Sequence, residues 1–185
     1  MMRLQEKYKQ EVVPAMQEKF GYRNAMAVPR IEKVVVNTGY GREVAGKTNE
    51  EQKKIVDSIL EDFSLICGQR AVKTYAKKAI SSFKIREGMP IGAKVNLRGK
   101  KMTDFLERLI HITLPRTRDF NGVPSESIDK QGNLTIAIKE HIAFPEILPE
   151  KARNIFGLEI TIVTTAKSKE EALELFKLLG FPIKL

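Results

Sequence analysis

The sequence predicts an α+β fold: a mostly antiparallel sheet with helices packed on one face, in the order α-β-α-β-β-α-β-β-α. Three observations carry that expectation. Segments of helical period alternate with short β-branched runs. Two successive strands, over 70–75 and 91–99, have no helix between them, so they are expected to pair antiparallel. Strict alternation along two strands then marks a sheet that is covered on one side and open on the other. In 91–99, Ile91, Ala93, Val95 and Leu97 point one way, and Gly92, Lys94, Asn96 and Arg98 the other. In 133–139, Leu134, Ile136 and Ile138 point inward, with Thr135 and Lys139 outward.

Each element has a local cause. Leu4, Tyr8, Val12, Met16 and Phe20 recur at four-residue steps, so 4–20 reads as an amphipathic helix that Pro14 should kink or split. The β-branched run Ile31–Thr38 reads as a strand. Thr48 and Glu51 make a capping box for a helix lined by Val56, Ile59, Leu60, Phe63 and Cys67 and stopped by Gly68. A third helix turns Phe105, Leu106, Leu109 and Ile110 inward and is expected to end before Pro115. Residues 115–132 read as a loop rich in Gly, Pro, Asn and Ser, followed by strands at 133–139 and 158–165. Ser168 and Glu171 cap a last helix, which Ala172, Leu175, Phe176 and Leu179 line and Gly180 and Pro182 end.

The 185 residues are 42% apolar, enough for a real core, and no repeat or low-complexity linker divides them, so a single domain over 1–185 is expected. One Cys excludes an intramolecular disulfide framework and a Cys-rich zinc module. The first residues are charged, and no apolar run approaches the ~18 residues of a membrane span. The expectation is a cytoplasmic protein without a membrane partner.

The net charge is +9, and it is unevenly placed. Residues 1–66 carry 11 basic and 10 acidic groups, residues 67–120 carry 13 and 4, and residues 121–185 carry 8 and 9. Within 70–101, ten cations face the single acid Glu87. Crowded like charges cost free energy unless a polyanion lies close, and a phosphate backbone is such a polyanion. An open sheet face bearing Lys94, Asn96, Arg98, Thr135 and Lys139 suits RNA. Its lack of aromatics points to a structured RNA read by shape and backbone rather than to stacked single-stranded bases.

Two segments carry sharper signals. Residues 76–90 are too long for a tight hairpin loop and mix Lys77, Lys78, Lys84 and Arg86 with Ile80, Phe83 and Ile85, which suggests a protruding arm that touches a second anion. Arg116 and Arg118 offer two further phosphate-ready cations in the loop Arg116–Gly122. Gly41-Arg42-Glu43-Val44-Ala45-Gly46-Lys47-Thr48 fits the phosphate-loop pattern G-x-x-x-x-G-K-[ST] between a strand and a helix. A small P-loop nucleotide-binding protein using residues 41–48 is therefore the alternative reading. It lacks a magnesium-holding Asp after a second apolar strand, and the strand order departs from parallel β-α-β units. No metal or catalytic constellation stands out, and no cofactor is implied: His111 and His141 have no ligand partner at metal spacing, and Cys67 reads as a small core residue.

The stretches Asn37-Thr38-Gly39-Tyr40-Gly41, Gly68-Gln69-Arg70, Lys77-Lys78-Ala79-Ile80, the run Arg86–Gly99, and Arg118-Asp119-Phe120 closely resemble the bacterial family of ribosomal protein five of the large subunit. The similarity runs from Tyr8 through Val12-Val13-Pro14 to Leu178-Leu179-Gly180. The resemblance implies a non-enzymatic ribosomal protein that binds 5S rRNA and anchors it in the central protuberance. A basic loop, here about 76–88, would contact P-site tRNA, and a bridge would reach a protein of the small-subunit head. It implies 23S rRNA and neighbouring central-protuberance proteins as further partners. Carried onto this chain, the 5S rRNA candidates are Asn37, Gln69, Thr74, Lys94, Asn96 and Arg98, and the tRNA-loop candidates are Lys77, Lys78, Lys84 and Arg86. The family usually has Thr where Asn96 stands and Arg where Asn121 stands, so a charge is lost at 121. Residues 42–52, which hold the phosphate-loop look-alike, match the family poorly.

Overall fold

The structure is a computed structural model that describes residues 3–118, 120–150, 152 and 154–184. Asp119, in the arginine-bearing loop, lies outside the described residues. The architecture is α+β, with a mostly antiparallel five-stranded sheet whose strands lie in the order Val72–Tyr75, Pro90–Leu97, Ile31–Gly39, Leu158–Thr164, Leu134–Ile138. Its strands are β1 (Ile31–Gly39), β2 (Val72–Tyr75), β3 (Pro90–Leu97), β5 (Leu134–Ile138) and β6 (Leu158–Thr164). A small parallel pair, β4 (Val123–Pro124) with β7 (Ile183–Lys184), forms a second sheet. Four long helices accompany them: α1 (4–20), α2 (Asn49–Cys67), α3 (99–116) and α4 (Lys169–Leu179).

The chain groups into two compact units. One comprises the residues up to Val34, Arg98–Ile136 and the residues from Thr161; the other comprises Val35–Leu97 and Ala137–Ile160. The first is helix-rich. Val12 and Met16 of α1, Phe105, Leu106 and Leu109 of α3, and Ala172, Leu175 and Phe176 of α4 are all fully buried. Phe176 meets Phe181 edge to face at 5.2 Å, after Gly180 ends α4 in the left-handed conformation.

The two prolines in helices act in a shared way. The helix over 4–20 does not split at Pro14. It widens into a π-helical turn over Tyr8–Val12, and the amide of Val13 donates to Tyr8 O, five residues back. The same device precedes Pro115: Leu109–Thr113 is π-helical and Leu114 donates to Leu109 O. The wider turn displaces the carbonyl that the proline ring would strike, so no break is needed. The third helix therefore runs on through Pro115 to Arg116 instead of ending before it.

In the second unit, α2 begins as its capping box predicts. Thr48 Oγ1 accepts from the Glu51 amide, and the Glu51 carboxylate accepts from the Thr48 amide at 3.0 Å. The helix buries Val56, Ile59, Phe63, Ile66 and Cys67, and left-handed Gly68 closes it. β2 pairs antiparallel with β3 in the register Val72↔Lys94, Lys73↔Ala93, Thr74↔Gly92, Tyr75↔Pro90. The shift after Thr74 is a bulge placed beside Pro90, which has no amide to give the ladder. The strand expected over 70–75 starts at Val72, and the one expected over 91–99 stops at Leu97.

Candidate nucleic-acid interface

The register decides which side chains share a face. Along β3, Ala93, Val95 and Leu97 are buried, and Lys94 and Asn96 are exposed. Lys73, opposite Ala93, turns to the helix-covered side, where its Nζ lies 3.2 Å from Asp57 Oδ1 of α2. Thr74 and Val72 therefore share the other side with Lys94. Asn37 on β1 is exposed between buried Val36 and Thr38. Buried Thr38 turns its hydroxyl to Gly157 O at 2.7 Å. Gln69, half-buried just beyond α2, donates from Nε2 to Asn96 O at 3.3 Å, which brings it to the end of the same strand.

Five of the six sheet-side candidates, Asn37, Gln69, Thr74, Lys94 and Asn96, thus belong to one unit and its β1–β2–β3 strands and edges. Arg98 is different. It is exposed, but it is the extended N-cap residue of α3 (φ −142°, ψ 162°) rather than a strand residue, and it belongs to the first unit. The left-handed Gly99 that follows starts the helix and ends the alternation. Gly92 also departs from the expected outward exposure: it is buried. A Cβ there would lie 2.7 Å from Thr38 O and 2.8 Å from Thr74 Oγ1, so only glycine fits. On β5 the inward set Leu134, Ile136 and Ile138 is buried, as the alternation predicts; Thr135, expected outward, is half-buried and hydrogen-bonded to Thr161 at 3.3 Å, and Lys139, just past the strand, is exposed.

Residues 76–90 form a hairpin arm rather than an unstructured connection. Its base is closed by Ala76 N to Met89 O at 2.9 Å and Gly88 N to Ala76 O at 3.0 Å. Its tip is closed by reciprocal Ile80–Ile85 backbone bonds around a 3₁₀ turn at Ser81–Phe83. Lys77, Lys78, Lys84 and Arg86 are all exposed on it. At the tip Phe83 is 66% exposed, too much for a core side chain. Lys84 is the only non-glycine described residue with a positive φ, +54°, and it closes the tip turn.

The phosphate-loop look-alike takes a different form. Gly41–Val44 is a helical turn, and its amides are directed inward: Val44 N to Tyr40 O, Ala45 N to Gly41 O, and Lys47 N to Val44 O. The Thr48 hydroxyl donates to the Glu51 carboxylate at 2.9 Å, and these bonds from Thr48 hold the Glu51 carboxyl below its ordinary range. A phosphate cradle needs such amides and that hydroxyl pointing at the ligand. Here the amides close the Gly41–Val44 turn, and the hydroxyl caps α2.

One buried cluster escaped sequence reading. His141 is fully buried, stacks on Phe156 at 4.0 Å and accepts the Phe156 amide on Nδ1 at 3.4 Å. Among the described residues its Nε2 has no hydrogen-bond partner, and it lies 3.7 Å from Asp62 Oδ2 on α2. Burial lowers the His141 pKa and raises that of Asp62. The partners stand far apart in sequence, so no spacing pattern announces them. Among the described residues no group of three or more His, Cys, Asp or Glu is placed to hold a metal ion, and no helix is long and apolar enough to cross a membrane.

An antiparallel sheet with an uncovered polar side, continued by a cationic hairpin arm, defines a basic α+β protein of the polyanion-binding kind. Comparison with known proteins narrows this. Residues 24–86 match the family model described as Ribosomal protein L5, and residues 90–183 match the model for the C-terminus of the same ribosomal family. The chain is 54% identical over 179 residues to the large ribosomal subunit protein uL5 of Halothermothrix orenii, covering 97% of each chain. It is 52% identical over 182 residues to that of Symbiobacterium thermophilum, covering 98% of each, and 49% identical over 180 residues to that of Clostridium tetani, covering 97% of each. The chain belongs to the ribosomal protein L5 family.

Proposed function

We propose that this chain, a structural constituent of the large ribosomal subunit and not an enzyme, binds 5S rRNA on the open side of β1–β3 and contacts P-site tRNA with its arm. The observation that carries the reading is the β2–β3 register. It sends Lys73 to Asp57 on the helix side and leaves Lys94, Asn96 and Thr74 on the other. The 5S site consists of Asn37, Gln69, Thr74, Lys94 and Asn96, with Arg98 following at the start of α3. Amide, hydroxyl and ammonium groups without an aromatic platform suit phosphates and 2′-hydroxyls of a folded RNA. Lys77, Lys78, Lys84 and Arg86 give the arm a separate set of phosphate contacts for the tRNA elbow. The same reading includes 23S rRNA, neighbouring proteins of the central protuberance and a small-subunit head protein as further partners in the cytoplasmic ribosome.

Filter binding with 5S rRNA in competition with bulk tRNA tests the assignment. Reversing Lys94 and Arg98 to Glu should abolish the preference for 5S rRNA, whereas reversing Lys77 and Lys78 should leave it intact. Unchanged 5S affinity in the first variant overturns the sheet-side site.

A further inference from the structure

A cavity of about 510 Å³ lies in the first unit beside the starts of α1 and α3, and it shares no residue with the sheet-side site or the arm. That volume suits a small ligand. Its floor is apolar, built from Leu4, Ile31, Met102 and Leu106, three of which are buried. Among the described residues one aromatic ring lines it, that of Tyr8, and the ring is fixed because its hydroxyl donates to Pro29 O at 3.1 Å. The rim carries Arg3, Lys9, Arg30 and Lys100, all exposed. Among the described residues none of these four cations has an ion-pair partner. The rim's acids among the described residues are Asp104 and Glu107, and Glu107 is already engaged, accepting the Leu4 amide at 2.6 Å.

A fixed tyrosine ring over an apolar floor suits a planar base. Unpaired arginine and lysine at the rim suit a phosphate, and Lys100 stands in the first turn of α3, where the helix amides favour an anion. Neither half alone is specific; together they describe a group with a flat apolar body and a charged phosphate.

We propose that this cavity seats one nucleotide, its base against Tyr8 and its phosphate between Arg30 and Lys100. Two sources offer that chemistry: a nucleotide extruded from ribosomal RNA, and a free nucleoside monophosphate. The seat stands independently of the 5S rRNA assignment, since the two sites have no residue in common.

Titrating the full chain with AMP, CMP, GMP and UMP, with amide NMR shifts of Gly99, Lys100 and Thr103 as the readout, tests the chemistry. At least one monophosphate should saturate, while inorganic phosphate and the nucleosides bind about tenfold more weakly. Tyr8→Leu should weaken binding about tenfold, and Tyr8→Phe, which keeps the ring but loses the bond that fixes it, should weaken it less. Lys100→Ala and Arg30→Ala, both at exposed positions, should each weaken it about threefold to tenfold, and they keep the test valid if Tyr8→Leu fails to fold. Ultraviolet cross-linking of large subunits containing the chain then separates the sources. A nucleotide adduct on Tyr8 assigns the seat to RNA, and saturable monophosphate binding without an adduct assigns it to the free nucleotide. Absence of both, or saturation that Lys100→Ala and Arg30→Ala leave unchanged, overturns the proposal.

Discussion

Thr74 on β2 stands opposite Gly92 on β3, and the fit leaves no room for a side chain at position 92. The two nearest atoms to a Cβ there are the Thr38 carbonyl oxygen and Thr74 Oγ1. The first is backbone and cannot swing aside. Gly92→Val should therefore force β1, β2 and β3 apart and destabilise the protein by about 1–3 kcal/mol. Urea unfolding measures the loss, and 5S rRNA affinity should fall with it because Thr74 and Lys94 belong to the proposed 5S rRNA site.

Salt dependence separates contact from bystander cations. Each phosphate contact removed should lower the slope of log affinity against log salt by about one. Lys94→Ala should do so for 5S rRNA. Lys73→Ala should not, since Lys73 faces Asp57 on the helix side. An equal loss of slope in both variants contradicts the face assignment.

Lys84 offers a way to remove charge from the arm without disturbing its shape. Its positive φ costs a lysine about 1 kcal/mol relative to glycine. Lys84→Gly should leave stability unchanged or slightly raised, spare 5S rRNA binding and weaken tRNA binding. Lys84→Val should lose tRNA binding and arm order together, visible as faster amide exchange at Ile80 and Ile85.

The capping role of residues 47–51 predicts a clean dissociation. Thr48→Ala should cost about 1 kcal/mol of stability through loss of the α2 cap. Neither it nor Lys47→Ala should affect binding of a fluorescent ATP or GTP analogue with magnesium, because no micromolar binding is expected in the parent chain. Micromolar binding abolished by Lys47→Ala revives the phosphate-loop reading.

Buried His141 makes stability depend on pH. Its folded pKa is lowered, so below the ordinary histidine value of about 6.5 the unfolded chain binds the proton more readily. Stability should fall as pH drops below that value, by at most about 1.4 kcal/mol per unit, until the folded pKa is reached. Asp62, whose pKa is raised, works in the opposite sense: its contribution increases as pH falls towards the carboxylate range. Urea midpoints at pH 7 and pH 5.5 should converge in His141→Phe, which keeps an aromatic ring against Phe156.

Much of this was legible in the chain because its causes are local. Thr48 with Glu51, Ser168 with Glu171, and the glycines at 68 and 180 mark helix ends through contacts a few residues long. The alternation along 91–97 assigns faces because successive strand residues point to opposite sides. The family itself was legible in the run Arg86–Gly99. Two local expectations failed for a physical reason. Pro115 did not end its helix, because a π-helical turn moved the obstructing carbonyl. Arg98 left the strand, because left-handed Gly99 turned the chain into α3.

Other features depend on distant segments meeting. The burial of Gly92 depends on Thr38 and Thr74 arriving from other strands. The orphaned Nε2 of His141 depends on Asp62 of a helix about 80 residues earlier in the chain. The β4–β7 pair joins segments about 60 residues apart, and the cavity at Tyr8 draws on the starts of α1 and α3. Period and capping report which way a side chain points within its own element. They carry no information about what will stand opposite it, because that is set by packing between elements.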